Sequence, residues 1–294
     1  MKTILVPTDF SEASENAALY AIELAKSIKA KVKLCNAFKV PAEMPMAAQV
    51  SWPLEDYSDV RTDVEHELKT LAGKLTHKSG QKNGGFDPKI EYTCEAGSVT
   101  DLVRNIVDEE QISIVVIGMS TSGPLSHFFS GSISRTMIDK ADCPVLLIPP
   151  GVKFKKIEKI AFATDLNNGD INVIHSLAGL AYYMNAELLI AHIANEKFNS
   201  EAHQHQIDAF LTEVSCKANY AKIYYRNIKS MDVEHGLDWL TEHGQIDMLV
   251  MVHRWHHFFN RIIAGSYTKK MVGHIHVPLL VYSGNDGPST LPVF

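Results

Sequence analysis

The sequence predicts an α/β protein made of two similar domains, each a five-stranded, mainly parallel sheet flanked by helices. Three observations lead there. Short apolar, β-branched runs alternate with amphipathic helical stretches, the order that winds strands into a parallel sheet with helices on both faces. The alternation occurs twice: KTILVPTD at 2–9 returns as EKIAFATD at 158–165, and CPVLLIPP at 143–150 returns as VPLLVYSG at 277–284. The length, 294 residues, suits two domains at roughly 150 residues each.

In the first copy, Thr3–Pro7 is apolar and β-branched and reads as strand one. Ser11 is an N-cap for a helix through about Ile28, whose apolar stripe is Ala17, Ala21, Leu24, Ala25 and Ile28. Lys31–Phe38 reads as strand two, Val60–His77 as an amphipathic helix, Lys89–Cys94 as strand three and Val99–Asp108 as a helix. Ile112–Ile117 is apolar apart from Ser113, which predicts a strand buried on both faces. Ser132–Lys140 reads as a helix and Val145–Ile148 as the last strand. The second copy follows the same order and is shorter, chiefly after its second strand. Without a gap, Gly131-Ser132 falls on Gly265-Ser266 and Cys143-Pro144 on Val277-Pro278. The breaker cluster Pro149-Pro150-Gly151 marks the boundary, giving domains 1–150 and 151–294.

Composition excludes several classes. Apolar residues make up 46% and charged residues 21%, an ordinary globular balance. The net charge of -6 carries no basic stripe of the kind nucleic-acid binding needs. No run of about 20 apolar residues offers a membrane span. The N-terminal apolar run, Ile4–Val6, is too short for a signal peptide, so the cytoplasm is the expected compartment. Cys35, Cys94, Cys143 and Cys216 lack CxxC spacing and read as reduced, mostly buried thiols.

In an open parallel sheet, ligands bind beyond the carboxyl ends of the strands where the strand order reverses. The loop after strand one, Pro7-Thr8-Asp9-Phe10-Ser11, holds no glycine, so it is no G-x-G-x-x-G dinucleotide turn, and no P-loop motif occurs. The loop after strand four differs. It runs from Gly118 through Ser120, Thr121, Ser122 and Gly123 to Gly131-Ser132-Ile133-Ser134 at a helix start. Backbone N–H groups, hydroxyls and a helix N-terminus can together cradle a phosphate chain without lysine. Asp9 can accept from ribose hydroxyls or an adenine amine. The same residues also fit an ordinary capped loop and an Asp that serves helix entry.

The opening ILVPTDFSEAS, the strand IVVIGMS, the Gly131-Ser132 helix start and the ending CPVLLIP carry a resemblance. Over nearly its whole length the chain resembles a tandem universal stress protein, two UspA-type domains of Rossmann-like (adenine nucleotide alpha hydrolase-like) fold. Nucleotide-binding members of that family show G-x2-G-x9-G-[ST] here; this copy reads Gly118-x2-Thr121-x9-Gly131-Ser132, with Thr121 in place of the second glycine. The resemblance implies that Pro7, Thr8 and Asp9 line the ribose and adenine edge and that Ala37 offers backbone groups to adenine. It implies that Gly118, Gly131, Ser132 and Ser134 hold phosphates, with the Thr121 hydroxyl as a further donor. The implied ligand is ATP, with AMP or ADP as alternatives and Mg²⁺ as a companion ion. It also implies that last strands pair, here within one chain as a pseudo-dimer, with a homodimer as a further step. Both last strands are apolar and near a sheet edge, which invites such pairing.

The second copy departs further. Its aligned loop reads Val252-x2-Trp255-x9-Gly265-Ser266, and HRWHHFF at 253–259 fills the phosphate space, so no ATP is expected there in the family's manner. Eleven of the fourteen histidines follow residue 151. They match no HExxH or Cys/His knuckle, and solvated or hydrogen-bonded histidines are the expectation. Phosphoryl transfer needs a base, a metal site and charge neutralisation, and no Asp/Asn pair or loop lysine supplies them beyond Asp9. At most weak ATP hydrolysis is expected. The alternative is an interaction or adaptor module with both sites lost, its contact element the 39–59 loop with Met44, Met46, Trp52 and Tyr57.

Overall fold

The structure, a computed structural model, describes residues 2–39, 57–80, 85–119, 136–138, 143–195, 201–253 and 276–283. The first half runs β1 (Thr3–Pro7), α1 (Glu12–Ile28), β2 (Lys31–Phe38), α2 (Tyr57–Ser79), β3 (Ile90–Ala96), α3 (Val99–Glu109), β4 (Ile112–Gly118) and β5 (Val145–Ile148). The second runs β6 (Lys159–Thr164), α4 (Asp170–Met184), β7 (Glu187–Asn195), α5 (Glu201–Lys217), β8 (Ile223–Ser230), α6 (Val233–His243), β9 (Met248–His253) and β10 (Leu279–Ser283).

The expected elements form with small shifts. The second helix begins at Tyr57, whose ring lies 5.7 Å from that of Phe38, so the start of the helix is pinned to the end of β2. The third strand begins at Ile90 and runs on to Ala96, because β2 keeps pairing as far as Phe38. Of the helix expected over 132–140, residues 136–138 are helical and the rest lies outside the described residues.

The strands form one ten-stranded sheet in the order β3-β2-β1-β4-β5-β10-β9-β6-β7-β8. Each half is five parallel strands, and the halves meet where β5 and β10 pair antiparallel, Leu147 opposite Leu279 and Val145 opposite Val281. Those two strands are wholly apolar apart from Tyr282 and Ser283. Each would otherwise expose a row of unpaired N–H and C=O groups. The outer edges, β3 and β8, instead carry charge: Glu91 pairs with Lys31 and Lys89 on one, and Arg226 and Lys229 stand on the other.

Because side chains alternate along a strand, each inner strand feeds two cores. Ile4, Val6, Ile114, Val116, Phe162 and Ile190 pack with α1, α2, α4 and α5 on one face. Leu5, Val115, Ile117, Leu249 and Met251 pack with α3 and α6 on the other. Every residue of β4 is buried. Helix α3 shows how little sequence this takes: Val99, Leu102, Val103 and Ile106 fall on one stripe, and the Ser98 hydroxyl caps the helix by accepting from the Asp101 N–H. Cys35, Cys94 and Cys143 are buried and Cys216 exposed, and none of the four is in a disulfide.

The segment joining the halves is stitched to both. Asn16 of α1 donates to the Val152 carbonyl (2.9 Å), and Phe154 meets Tyr20 edge-on with centroids 5.0 Å apart. From the second half, Asp247 Oδ2 accepts from the backbone N–H groups of Glu158 (2.8 Å) and Lys159 (2.9 Å), while Oδ1 pairs with Lys155 (2.7 Å). Burial alone would raise the Asp247 pKa; Lys155 and the two N–H donors outweigh it and hold it below the ordinary value. A carboxylate with a depressed folded pKa stabilises above its unfolded value, about 3.9, and the stabilisation is lost as pH falls through the folded value. Asp247→Ala is therefore expected to lower the unfolding free energy by about 2 kcal/mol at neutral pH, as hydrogen bonds to a charged group do. Urea titrations at descending pH should show the gap between variant and wild type closing below about pH 4. A gap that does not narrow at all as the pH is lowered would mean the carboxylate is not the stabilising group.

Candidate functional site

In each half the strand order reverses beside the first strand, between β1 and β4 and again between β6 and β9. In an open parallel sheet such a reversal is where the crevice beyond the strand ends lies. In the first half the crevice wall is the β1–α1 loop. Thr8 donates its N–H to the Cys35 carbonyl (2.8 Å), and its hydroxyl is hydrogen-bonded to the Ser14 hydroxyl (3.0 Å) and accepts from the Phe10 N–H (3.1 Å). Asp9 Oδ1 accepts from the Ser11 N–H (3.1 Å) and hydroxyl (2.5 Å), and the Ser11 hydroxyl in turn accepts from the Ser14 N–H (3.2 Å) to cap α1. Asn36 of β2 donates its amide to the Thr8 carbonyl (2.8 Å).

These bonds hold Phe10 at φ 62°, a left-handed conformation that costs a bulky residue energy and persists only when its surroundings impose it. The outcome is a carboxylate fixed at the rim. Asp9 is half-buried, its Oδ1 is spent on the turn, and its Oδ2 makes no hydrogen bond among the described residues.

The structure brings together five of the residues singled out by sequence. Pro7 is buried opposite Cys35; carrying that register on by two residues sets Ala37 level with Asp9. The register Leu5 to Val115 sets Gly118 level with Thr8 on the other side. Thr8 is 3% exposed and its hydroxyl is occupied, so it positions Asp9 and does not face a ligand with its side chain. Thr121, Gly131, Ser132 and Ser134 lie outside the described residues, as do 40–56 of the long loop and Arg254, Trp255, His256, His257, Gly265 and Ser266.

Gly118 has a second reason to be glycine. A Cβ there would stand 2.2 Å from the Ala13 carbonyl oxygen and 2.6 Å from its carbon, inside the first turn of α1. The missing side chain lets α1 lie against the end of β4 and brings its N-terminus to the crevice. The aligned residue of the second half is Val252 of β9.

The second half repeats the loop almost bond for bond. Leu166 N–H donates to the Thr164 hydroxyl (2.9 Å), Leu166 takes φ 64°, and the Asp165 Oδ1 accepts from Asn167 (3.2 Å). Asp170 stands for Ser14 and accepts from the Thr164 hydroxyl (2.5 Å). His192 stands for Asn36, and its Nδ1 reaches the Thr164 carbonyl at 3.0 Å. The ring also reaches where Asn36 does not: its Nε2 lies 3.3 Å from Nε2 of His203 on α5. Burial lowers the His192 pKa below its ordinary value. Sequence reading passed over both Asn36 and His192. Carrying the Thr8/Thr164 alignment on to the second strand pairs them directly.

Among the described residues no group of three or more His, Cys, Asp or Glu is placed to hold a metal ion. No described helix is long and apolar enough to cross a membrane. A groove of about 840 Å³ lies between Lys26, Gly80, Phe154 and Met184. It borders the C-terminal ends of α1, α2 and α4, away from the crevices.

Two α/β repeats sharing one sheet, each with a Thr-Asp turn over its crevice, define the class. The profile of the universal stress protein family matches residues 1–149 and again 157–283, and the chain belongs to that family as a tandem, two-domain member. Universal stress protein MJ0531 of Methanocaldococcus jannaschii is 26% identical over 147 residues, 50% of this chain and 81% of its own length. Universal stress protein Rv1636 of Mycobacterium tuberculosis is 26% identical over 147 residues, 50% of this chain and 95% of its own. A universal stress protein structure from Archaeoglobus fulgidus superposes over 97% of both chains with a TM-score of 0.67 at 15% identity, a likeness of fold across both halves. A universal stress protein solved in complex with cAMP matches 44% of this chain and 98% of its own at 15% identity and a TM-score of 0.34; its ligand is a fact about that protein.

Proposed function

We propose that the first half, residues 1–150, binds an adenine nucleotide as a regulatory ligand, and that the second half, 151–294, carries a phosphate loop no longer suited to it. The observation that carries this reading is Asp9. Its turn is built by four neighbours and leaves Oδ2 as an acceptor at the strand-order reversal, level with Ala37. A carboxylate so placed accepts from two adjacent ribose hydroxyls, and backbone groups at Ala37 meet the adenine edge. Pro7 and Thr8 hold that edge in place. The phosphates fall to the loop from Gly118 through Thr121 to Gly131, Ser132 and Ser134, at the helix N-terminus.

ATP is the ligand of this reading, with ADP and AMP as alternatives, and Mg²⁺ would accompany the phosphates. The loop carries no lysine and no Asp/Asn pair for a metal ion accompanies Asp9, so the nucleotide is bound and sensed, with weak hydrolysis at most. The cytoplasm is the compartment this reading assigns. Calorimetric titration of the full chain with ATP tests it: about one equivalent per chain is expected, and absence of binding refutes it.

A second reading, an adaptor module with both sites lost, is favoured by one observation. The packing of α1 is enough to require glycine at 118, so that residue alone does not argue for phosphate. Pairing of two chains is open to either reading, since β5 and β10 already cover each other.

A further inference from the structure

We propose that His192 and His203 form a binding site for a zinc-class divalent cation in the second half, separate from the nucleotide crevice of the first. Four features of the pair point to it.

The first is spacing. Zinc binds imidazole nitrogen at 2.0–2.1 Å with tetrahedral angles, which sets two ligand nitrogens about 3.3–3.4 Å apart. The two Nε2 atoms stand 3.3 Å apart. Neighbouring ligands of a square-planar or octahedral ion at the same bond length would stand about 2.8–3.0 Å apart. The observed separation fits the tetrahedral ion.

The second is tautomer. His192 Nδ1 lies 3.0 Å from the Thr164 carbonyl, which can only accept, so Nδ1 carries the hydrogen and Nε2 presents its lone pair toward His203. A backbone carbonyl on the far nitrogen is the usual way a ligand histidine is oriented and made more basic. On binding, the hydrogen that His203 Nε2 shares with His192 moves to its own Nδ1 or leaves as a proton, and the cation takes its place.

The third is setting. His192 is 7% exposed and its position in β7 is fixed by the sheet, so little order is lost on binding. Asp165, beside Thr164, adds a negative field at the ring. His203 is half-buried on α5. Among the described residues no third His, Cys, Asp or Glu joins the pair, and water or a small anion would complete the coordination.

The fourth is the comparison within the chain. The first half holds the same backbone carbonyl with Asn36, whose amide nitrogen has no lone pair to give. Replacing Asn by His keeps the structural bond and adds a nitrogen ligand, aimed at a second histidine.

Calorimetry with zinc chloride on the untagged full chain tests this, with His192→Asn, His203→Gln and His205→Gln. Asn is the residue the first half tolerates at the aligned position, so the fold should survive, and melting temperatures check it. Wild type and His205→Gln should bind one zinc at this site. His192→Asn and His203→Gln should each lose that site or weaken it by about 10- to 100-fold or more. Cobalt bound in place of zinc should show the visible absorption of a tetrahedral ion. Zinc isotherms unchanged in both His192→Asn and His203→Gln, or no zinc binding by wild type, would overturn the proposal. ATP binding by the first half bears on neither outcome.

Discussion

Replacing Gly118 by alanine is expected to destabilise the protein by about 3 kcal/mol, the upper end of what one added carbon does to a packed interior. The new Cβ would lie 2.2 Å from a backbone oxygen and 2.6 Å from a backbone carbon of Ala13. No side chain is there to swing away. Either α1 must lift from β4 or the strand must bend, and both disturb the core formed by Ala17, Ala21, Ile114 and Val116. Gly73 is the matched control. It lies inside α2 with nothing within 4 Å of its Cβ position, so Gly73→Ala should stabilise by roughly 0.5–1 kcal/mol through helix propensity alone. Urea unfolding of the two variants should therefore move in opposite directions. A Gly118→Ala protein as stable as wild type would show that α1 does not depend on the close approach. This also bears on how the crevice is dissected. Loss of ligand in a Gly118 variant would follow from displacement of α1 and Asp9, and would say nothing about contact with phosphate.

Much of the scaffold was legible because it rests on local patterns. The strand limits of β1, β2 and β5, and the Ser11 cap of α1, follow from β-branched runs and a capping residue within a few positions. The first part of the candidate site was legible for the same reason, since Pro7, Thr8 and Asp9 sit where β1 must end. What escaped depends on contacts between distant residues. Nothing about Phe10 announces a left-handed backbone; Thr8 and Asp9 impose it through side-chain acceptors. The packing role of Gly118 arises from Ala13, far away in the chain. Along their own helix His203 and His205, two residues apart, diverge. The partner of His203 is on a strand, and only the fold brings them together.

Asp9 is the second residue whose loss should matter most. A carboxylate that accepts from ligand hydroxyls contributes about 1.5–3 kcal/mol per charged hydrogen bond. Each 1.4 kcal/mol is tenfold in affinity, so Asp9→Ala should weaken ATP binding by about 10- to 100-fold. Asp9→Asn keeps the carbonyl oxygen that accepts from Ser11 and so keeps the turn, yet loses the charge and one acceptor. It should fold like wild type and still bind less tightly. Asp165 provides the internal comparison. It occupies the same turn in the second half, beside Leu166 in the same left-handed conformation, but there the strand that faces it ends in Val252 and His253.

The most direct test of the account is therefore a single calorimetric series with ATP on wild type, Asp9→Asn, Asp9→Ala and Asp165→Ala. The account expects one site per chain, weakened stepwise by the two Asp9 substitutions and untouched by Asp165→Ala. Equal affinity in wild type and both folded Asp9 variants, or loss of binding on changing Asp165 alone, would contradict it.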